Sequence, residues 1–218
     1  MDVKVDPRVI ELLCSRLCHD LISPVSAINN GIEIITEFGD EMQGEALSLM
    51  GESAREAARR LQFFRIAFGA AGAPSGDPVS LEVARARALE LFADGKVALD
   101  WPASEAPAEV QIPRGVVKLL LNMILVANEA LAGGGTVSVR LSSGDDGLDA
   151  TVTAACHRAG LGDELRAALA GTAAFEDLTP ATAQAYYTSL LAAGLGSTVA
   201  AAEQEGQVEL VCKIPAAG

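Results

Sequence analysis

The sequence is short of several residue types, and each shortage excludes a class of protein. Only two histidines and one tryptophan occur among its 218 residues, and aromatic residues make up 4% of the chain. Acidic residues outnumber basic ones, which leaves a formal net charge of −13 at neutral pH. Because nucleic acids bind surfaces rich in lysine and arginine, we expect no direct nucleic-acid binding.

Long apolar runs are missing as well. No uninterrupted apolar stretch reaches the roughly 18 residues of a membrane-spanning helix. The amino terminus also lacks the charged-then-apolar pattern of a secretory signal. We therefore expect a cytoplasmic protein with no membrane contact. Hydrophobic residues still make up 50% of the chain, which is enough for one or two domains with buried cores.

Paired cysteine motifs are absent too, since Cys14, Cys18, Cys156 and Cys212 form no CxxC pair. All four cysteines fall in apolar stretches, so we expect reduced thiols inside the core. Cys14 and Cys18 do share a helical face next to His19. A metal site there would need further ligands from elsewhere in the chain, so we expect packing and no bound metal.

What the sequence does contain is a histidine in an unusual helical setting, within residues 17–30. Apolar residues before and after it recur at steps of four and three, which predicts one buried helical stripe: Ile10, Cys14, Leu17, Leu21, Pro24 and Ile28. His19 lies about 200° around the helix from Leu17 and Leu21 and therefore faces away from that stripe. Its own face is mostly polar, with one large apolar member: Ser15, Arg16, Ile22, Ser23, Ser26 and Asn30.

A second helix follows with a stricter pattern. Its apolar residues alternate steps of three and four, as in a heptad seam: Leu47, Met50, Ala54, Ala57, Leu61, Phe64 and Phe68. The connection at 37–41 contains Gly39, a residue that commonly ends a helix. The two helices together predict an antiparallel hairpin. Because a lone hairpin buries only one side of each helix, we expect two copies to form a homodimeric four-helix bundle.

The run from Cys18 to Gly31 resembles the H-box of histidine-kinase dimerisation domains. With the hairpin and the part that follows, the chain resembles the ChpT-type histidine phosphotransferases of alphaproteobacteria. In that family the H-box histidine takes a phosphoryl group from the receiver domain of a hybrid kinase. It then passes the group to the receiver aspartate of a response regulator, without ATP and with magnesium supplied by the receiver. By motif match, that histidine is His19.

Neighbouring residues supply what such a histidine requires. Asp20 is placed to accept a hydrogen bond from Nδ1–H and leave Nε2 as the nucleophile, and Arg16 could offset charge on the phosphoryl oxygens. We predict receiver contacts at four further residues of this face, Ser15, Ile22, Ser23 and Ser26. From spacing alone, however, an exposed histidine needs no function, and Arg16 and Ser23 could equally be ordinary surface residues.

Residues 70–78 have the composition of a linker, which divides the chain into a hairpin domain at 1–72 and a second domain at 77–218. In the second domain we predict helices at 81–93, from Pro113 to Gly133, at 164–170 and at 180–193. We predict strands at 97–101, 136–141, 148–154, 198–202 and 208–214. The fold class is therefore α+β, and the second domain is an α/β sandwich that resembles the ATP-binding fold of histidine kinases, gyrase and Hsp90.

The nucleotide-binding boxes of that fold are degenerate here. Val126 stands where the family's magnesium-binding asparagine is expected, and valine offers no oxygen ligand. No acid ends the strand before Gly160, where an Asp-x-Gly-x-Gly box is expected. The glycine-rich phosphate loop is replaced by residues 175–180, which carry two carboxylates that would repel phosphates. Two alternatives stay open: an ATP-dependent histidine kinase with divergent boxes, and a non-catalytic scaffold on which receivers dock.

Overall fold

The computed structural model of the chain describes residues 5–39, 42–69, 79–103, 112–113, 115–144 and 147–216. The predicted linker at 70–78 and two residues of the predicted helix connection, 40 and 41, lie outside these ranges. In the part of the chain that is described, no helix is long and apolar enough to cross a membrane.

Two long helices open the chain. Helix α1 spans Pro7–Phe38 and α2 spans Gln43–Ala67, and the two pack along each other as the predicted hairpin. Asp6 caps α1 by accepting a 2.8 Å hydrogen bond from the Arg8 amide, and Pro7 occupies the first helical position. At the far end Gly39 adopts a φ of 63°, as predicted for a glycine that ends a helix.

The buried stripe of α1 is rotated from the predicted one. Val9, Leu13, Pro24 and Gly31 are buried, whereas Ile10 is 53% exposed. The predicted burial of Cys14 and Cys18 is wrong, because both are exposed within the chain. The apolar surface of α1 is wider than one partner helix can cover, so the hairpin buries one edge of it and leaves the other open.

The second half of the chain forms a five-stranded sheet with helices packed on one face. The elements in order are α3 (Leu81–Phe92), β1 (Val97–Asp100), α4 (Val116–Glu129), β2 (Gly135–Gly144), β3 (Gly147–Ala155), α5 (Asp163–Leu169), a 3-10 turn (Phe175–Asp177), α6 (Pro180–Gly194), β4 (Val199–Gln204) and β5 (Gln207–Pro215). The strand order is β1-β2-β3-β5-β4, with β1 parallel to β2 and the other pairs antiparallel. Buried and less buried residues alternate along β3 and β5, as in a sheet with one wet face.

The predicted α+β class and most of the predicted elements are confirmed. Thr179 and Thr182 form a capping box at the start of α6, and Gly196, with a φ of 72°, follows its end. The predicted start of α4 at Pro113 is wrong. That helix begins at Val116, because Gly115 takes the capping position with a φ of 96°, a conformation that favours glycine.

The hairpin and the sheet domain share one continuous hydrophobic core. Phe63, Ile66 and Ala67 of α2 are buried in the same cluster as the strand residues. The ring of Phe68 stacks on Tyr187 of α6 at a centroid distance of 5.9 Å. Helix α6 also packs along α1, and α4 along α2. This joint fixes the position of α1 against the carboxyl end of α4 and the start of α6.

Candidate functional site

His19 projects from the middle of α1 into solvent, with 90% of its side chain exposed. The four residues of its face that are predicted to contact receivers are exposed as well: Ser15, Ile22, Ser23 and Ser26. Ile22 is among the most exposed large apolar residues, at 62%. The structure therefore places the predicted set on one accessible surface around the imidazole.

Asp20 lies beside the imidazole on the nitrogen that the sequence predicts. Its Oδ1 is 3.6 Å from Nδ1 of His19, within ion-pair distance but longer than a hydrogen bond. Nδ1 is therefore the nitrogen turned toward the carboxylate. The carboxylate is 30% exposed and lies at the edge of the surface around His19.

Arg16 does not lie free on the open face of α1, as the sequence suggests, but contacts the sheet domain. Its guanidinium forms an ion pair with Glu129 at the end of α4, and its side chain is only 15% exposed. A long contact of 3.5 Å also joins Arg16 Nη1 to the carbonyl of Ala181 in the first turn of α6. Arg16 lies one helical turn before His19, close enough to be its neighbour on α1, and it ties that turn to the sheet domain.

A cleft of about 290 Å³ opens between the two halves of the chain beside this surface. Asp20, Arg16 and Arg60 line it from the hairpin, while Lys96, Leu125 and Glu129 line it from the sheet domain. The cleft therefore places charged groups of both halves within reach of a molecule that approaches His19.

Sequence reasoning missed two residues of this neighbourhood. Glu129 is 113 residues from its partner Arg16, and Arg60 on α2 donates a 3.0 Å hydrogen bond to the backbone carbonyl of Asp20. No local pattern in the sequence announces either contact, because each depends on how distant helices pack.

The residues that stand where nucleotide-binding boxes are expected serve packing and hydrogen bonding within the protein. Val126 is fully buried. The amide of Asn122, one turn earlier on α4, is fully used: its nitrogen donates to the carbonyls of Ala67 and Lys118, and its oxygen accepts from Gln184 of α6. Residues 175–177 form a 3-10 turn with no glycine. Through these contacts Asn122 holds α2, α4 and α6 together.

Within the described ranges, no group of three or more His, Cys, Asp or Glu side chains is arranged to hold a metal ion. Burial lowers the pKa of Lys118, whose ammonium donates a 2.6 Å hydrogen bond to the carbonyl of Gly69 at the end of the hairpin.

The sequence model of the histidine phosphotransferase C-terminal domain matches residues 81–207. The chain belongs to the histidine phosphotransferase family. The protein phosphotransferase ChpT of Brucella abortus (strain 2308) is 40% identical over 188 residues, which are 86% of this chain and 87% of that protein. A solved bacterial phosphotransferase at 1.7 Å superposes with a TM-score of 0.81 and 35% identity, over 96% of this chain and 98% of the other. The resemblance drawn from the H-box is therefore confirmed, and with it the prediction of a histidine phosphotransferase.

Proposed function

We propose that His19 carries the phosphoryl group in a phosphorelay between receiver domains. The neutral imidazole keeps its proton on Nδ1, and the Nε2 lone pair attacks the phosphorus of an aspartyl phosphate on the receiver of a hybrid kinase. The P–N bond forms as the P–O bond to the aspartate breaks, and the carboxylate leaves. The reverse step at the aspartate of a response regulator completes the transfer.

One observation carries this proposal: the imidazole is almost fully exposed while Nδ1 alone faces a carboxylate. When Nε2 is phosphorylated and Nδ1 keeps its proton, the imidazole ring is cationic, so the Asp20 carboxylate beside Nδ1–H stabilises it and directs the reaction to Nε2. Arg16 places a positive charge one turn away while it holds Glu129. The chain supplies no magnesium and no ATP in this scheme, because the ion and the aspartate come with the receiver.

The proposal includes a homodimer. Exposed large apolar residues concentrate on the hairpin, and several of them lie along one open edge: Ile10, Val25 and Ile32 on α1 with Leu47 and Leu61 on α2. Leu47, Ala54 and Leu61 are exposed at heptad spacing on α2. A second copy that packs against this edge would complete a four-helix bundle and leave His19, on the other side of α1, free for receivers.

We also propose that the chain divides its work between two parts, 1–72 and 77–218. The hairpin carries the histidine and the dimer contact. The sheet domain supplies part of the receiver-docking surface, because the cleft beside His19 is lined from both parts. Ile22, Ser23, Ser26 and Ser15 would form the remainder of that surface. Receivers of this kind act in the cytoplasm, where we place the protein.

The role of the second domain in docking is tested in the intact chain. The hairpin buries Phe63, Ile66 and Ala67 against the second domain, so an isolated hairpin would lose part of its core. Lys96→Glu reverses a charge that lines the cleft, whereas Lys213→Glu makes the same change on the exposed side of β5. We expect Lys96→Glu to raise the receiver concentration that gives half-maximal transfer and Lys213→Glu to leave it unchanged. If the two variants have equal effects, the cleft is not part of the docking surface.

The central experiment follows radioactive phosphate. The purified protein is incubated with labelled ATP and magnesium alone, and separately with a labelled phosphorylated receiver domain. We expect label only from the receiver, its loss in His19→Gln, and its retention in the matched control His157→Gln, which changes the other, also exposed, histidine. Label from ATP alone would make the chain a kinase, and no label from either source would leave a docking scaffold.

A further inference from the structure

Pro24 lies inside α1, five residues after His19, and its side chain is buried. Proline has no backbone N–H, so the carbonyl of Asp20, four residues earlier, loses its hydrogen bond within the helix. The proline ring also presses on that same carbonyl. The turn of α1 that bears His19 therefore contains a backbone acceptor that the helix itself cannot satisfy.

The missing donor comes from the other helix of the hairpin. Arg60 of α2 points Nη1 at the carbonyl oxygen of Asp20 with a separation of 3.0 Å. This replaces the lost hydrogen bond with one to a charged group, which is stronger than a neutral one. The contact is partly buried, where water competes less for the acceptor.

Arg60 is itself held in place. Glu56, one turn earlier on α2, accepts hydrogen bonds at its Oε1 from Nε at 3.0 Å and from Nη2 at 2.5 Å. One edge of the guanidinium is thus fixed by a carboxylate on its own helix, and the other nitrogen reaches across to α1. Lysine lacks the planar fork of separated nitrogens that lets the guanidinium hold Glu56 on one edge and reach Asp20 with the other.

We propose that Arg60 is a positioning residue for phosphoryl transfer. It takes the place of the amide that Pro24 lacks. The contact therefore fixes the orientation of the turn with His19 and Asp20 relative to α2. The inference rests on the proposed role of His19 as phosphoryl acceptor. It adds that the histidine is aimed by a side chain of the second helix, and that Pro24 creates the need for it.

The dependence on Pro24 makes the idea testable with four proteins: wild type, Arg60→Met, Pro24→Ala and the double variant. Single-turnover transfer from a phosphorylated receiver gives the maximal rate and the half-saturating receiver concentration. With proline present, we expect Arg60→Met to lower the maximal rate about tenfold to a hundredfold, with little change in half-saturation, because a misplaced nucleophile slows the chemical step. With alanine at position 24 the helix regains its own amide, so the same change should cost less than about threefold.

Equal losses in the two backgrounds, or a loss that appears only in half-saturation, would overturn the proposal, since Arg60 would then act on the fold or on the receiver directly. Thermal unfolding of the same four proteins provides an independent readout. We expect Arg60→Met to lower the midpoint by about 2–4 °C more with proline than with alanine. That coupling needs no phosphate, so it remains if His19 proves not to be the acceptor and disappears if Arg60 does not serve the Asp20 carbonyl.

Discussion

The guanidinium of Arg16 is paired with the carboxylate of Glu129, which joins the helix that carries His19 to the end of α4. The pair does two things at once. It sets the sheet domain against α1, and it keeps a positive charge one helical turn from His19. These two roles predict different results when each partner is changed separately.

We predict that Arg16→Met slows transfer to His19 by about tenfold to a hundredfold, because the positive charge that would offset the phosphoryl oxygens is lost. Glu129→Gln keeps a hydrogen-bond acceptor and leaves the arginine in place. Its effect should stay below about fivefold, as for a partly exposed ion pair. Single-turnover rates measure both. Equal losses in the two variants would mean that the pair acts only as a structural joint.

A second prediction concerns the packing of α1 against α2 at Gly31. A Cβ added there would lie 2.3 Å from Cγ of Met50 and 3.2 Å from the carbonyl oxygen of Ala46. We expect Gly31→Ala to destabilise the protein by about 1 kcal/mol, since overpacking costs more than alanine's helix propensity returns. Denaturant unfolding measures the change in the free energy of unfolding.

Gly44 is the matched control for this substitution, because it lies in the first turn of α2 and a Cβ there would meet nothing within 4 Å. Gly44→Ala should stabilise the protein by about 0.5–1 kcal/mol through helix propensity. If both glycines respond alike, the close approach of the helices at Gly31 is not the cause.

The proposed dimer gives a third prediction. Leu61 is 54% exposed on the open edge of α2, and Ile22 is 62% exposed beside His19 on α1. A charge buried in an apolar interface costs several kcal/mol, so Leu61→Glu should give a monomer in sedimentation. Ile22→Glu should stay dimeric and instead weaken receiver docking. A wild-type monomer at micromolar concentration would contradict the dimer.

The features of the fold that the sequence predicts are those that depend on residues close together along the chain. Local signals held, because the helix predicted at 180–193, the strand predicted at 148–154 and the helix end predicted at Gly39 all depend on neighbours along the chain. The exposure of Cys14 was mispredicted because one helix carries two adjacent apolar edges, and periodicity does not say which edge faces the partner within the chain.

The candidate site likewise combines features that depend on local sequence with contacts that depend on tertiary packing. The histidine and the polar face around it follow from helical spacing, and the structure leaves that face exposed. The contact between Arg60 and Asp20 spans 40 residues, and that between Arg16 and Glu129 spans 113. Such contacts depend on tertiary packing, so the sequence alone places Arg16 on an open face, where the structure has a partly exposed ion pair.

The last prediction uses the buried thiol of Cys212 on β5. Burial raises the pKa of this thiol above its ordinary value of 9.0, with a smaller opposing effect from the Ser197 hydroxyl and a further rise from Asp149. The folded protein therefore keeps the proton to higher pH than the unfolded chain does. This contribution to stability is complete below about pH 9 and is lost as the pH rises through the raised pKa.

Cys212→Val removes the titrating group and should flatten the decline in unfolding free energy as the pH rises above about 9, with little change at pH 7. The other cysteines give an internal comparison in thiol labelling at pH 8, because Cys14 and Cys18 are exposed within the chain while Cys212 is buried. The labelling uses the Leu61→Glu protein, which should be a monomer, so that no second copy covers the hairpin. Cys14 and Cys18 should react in its native state, and Cys212 should react only after unfolding. Rapid native labelling of Cys212 would contradict its burial in the core.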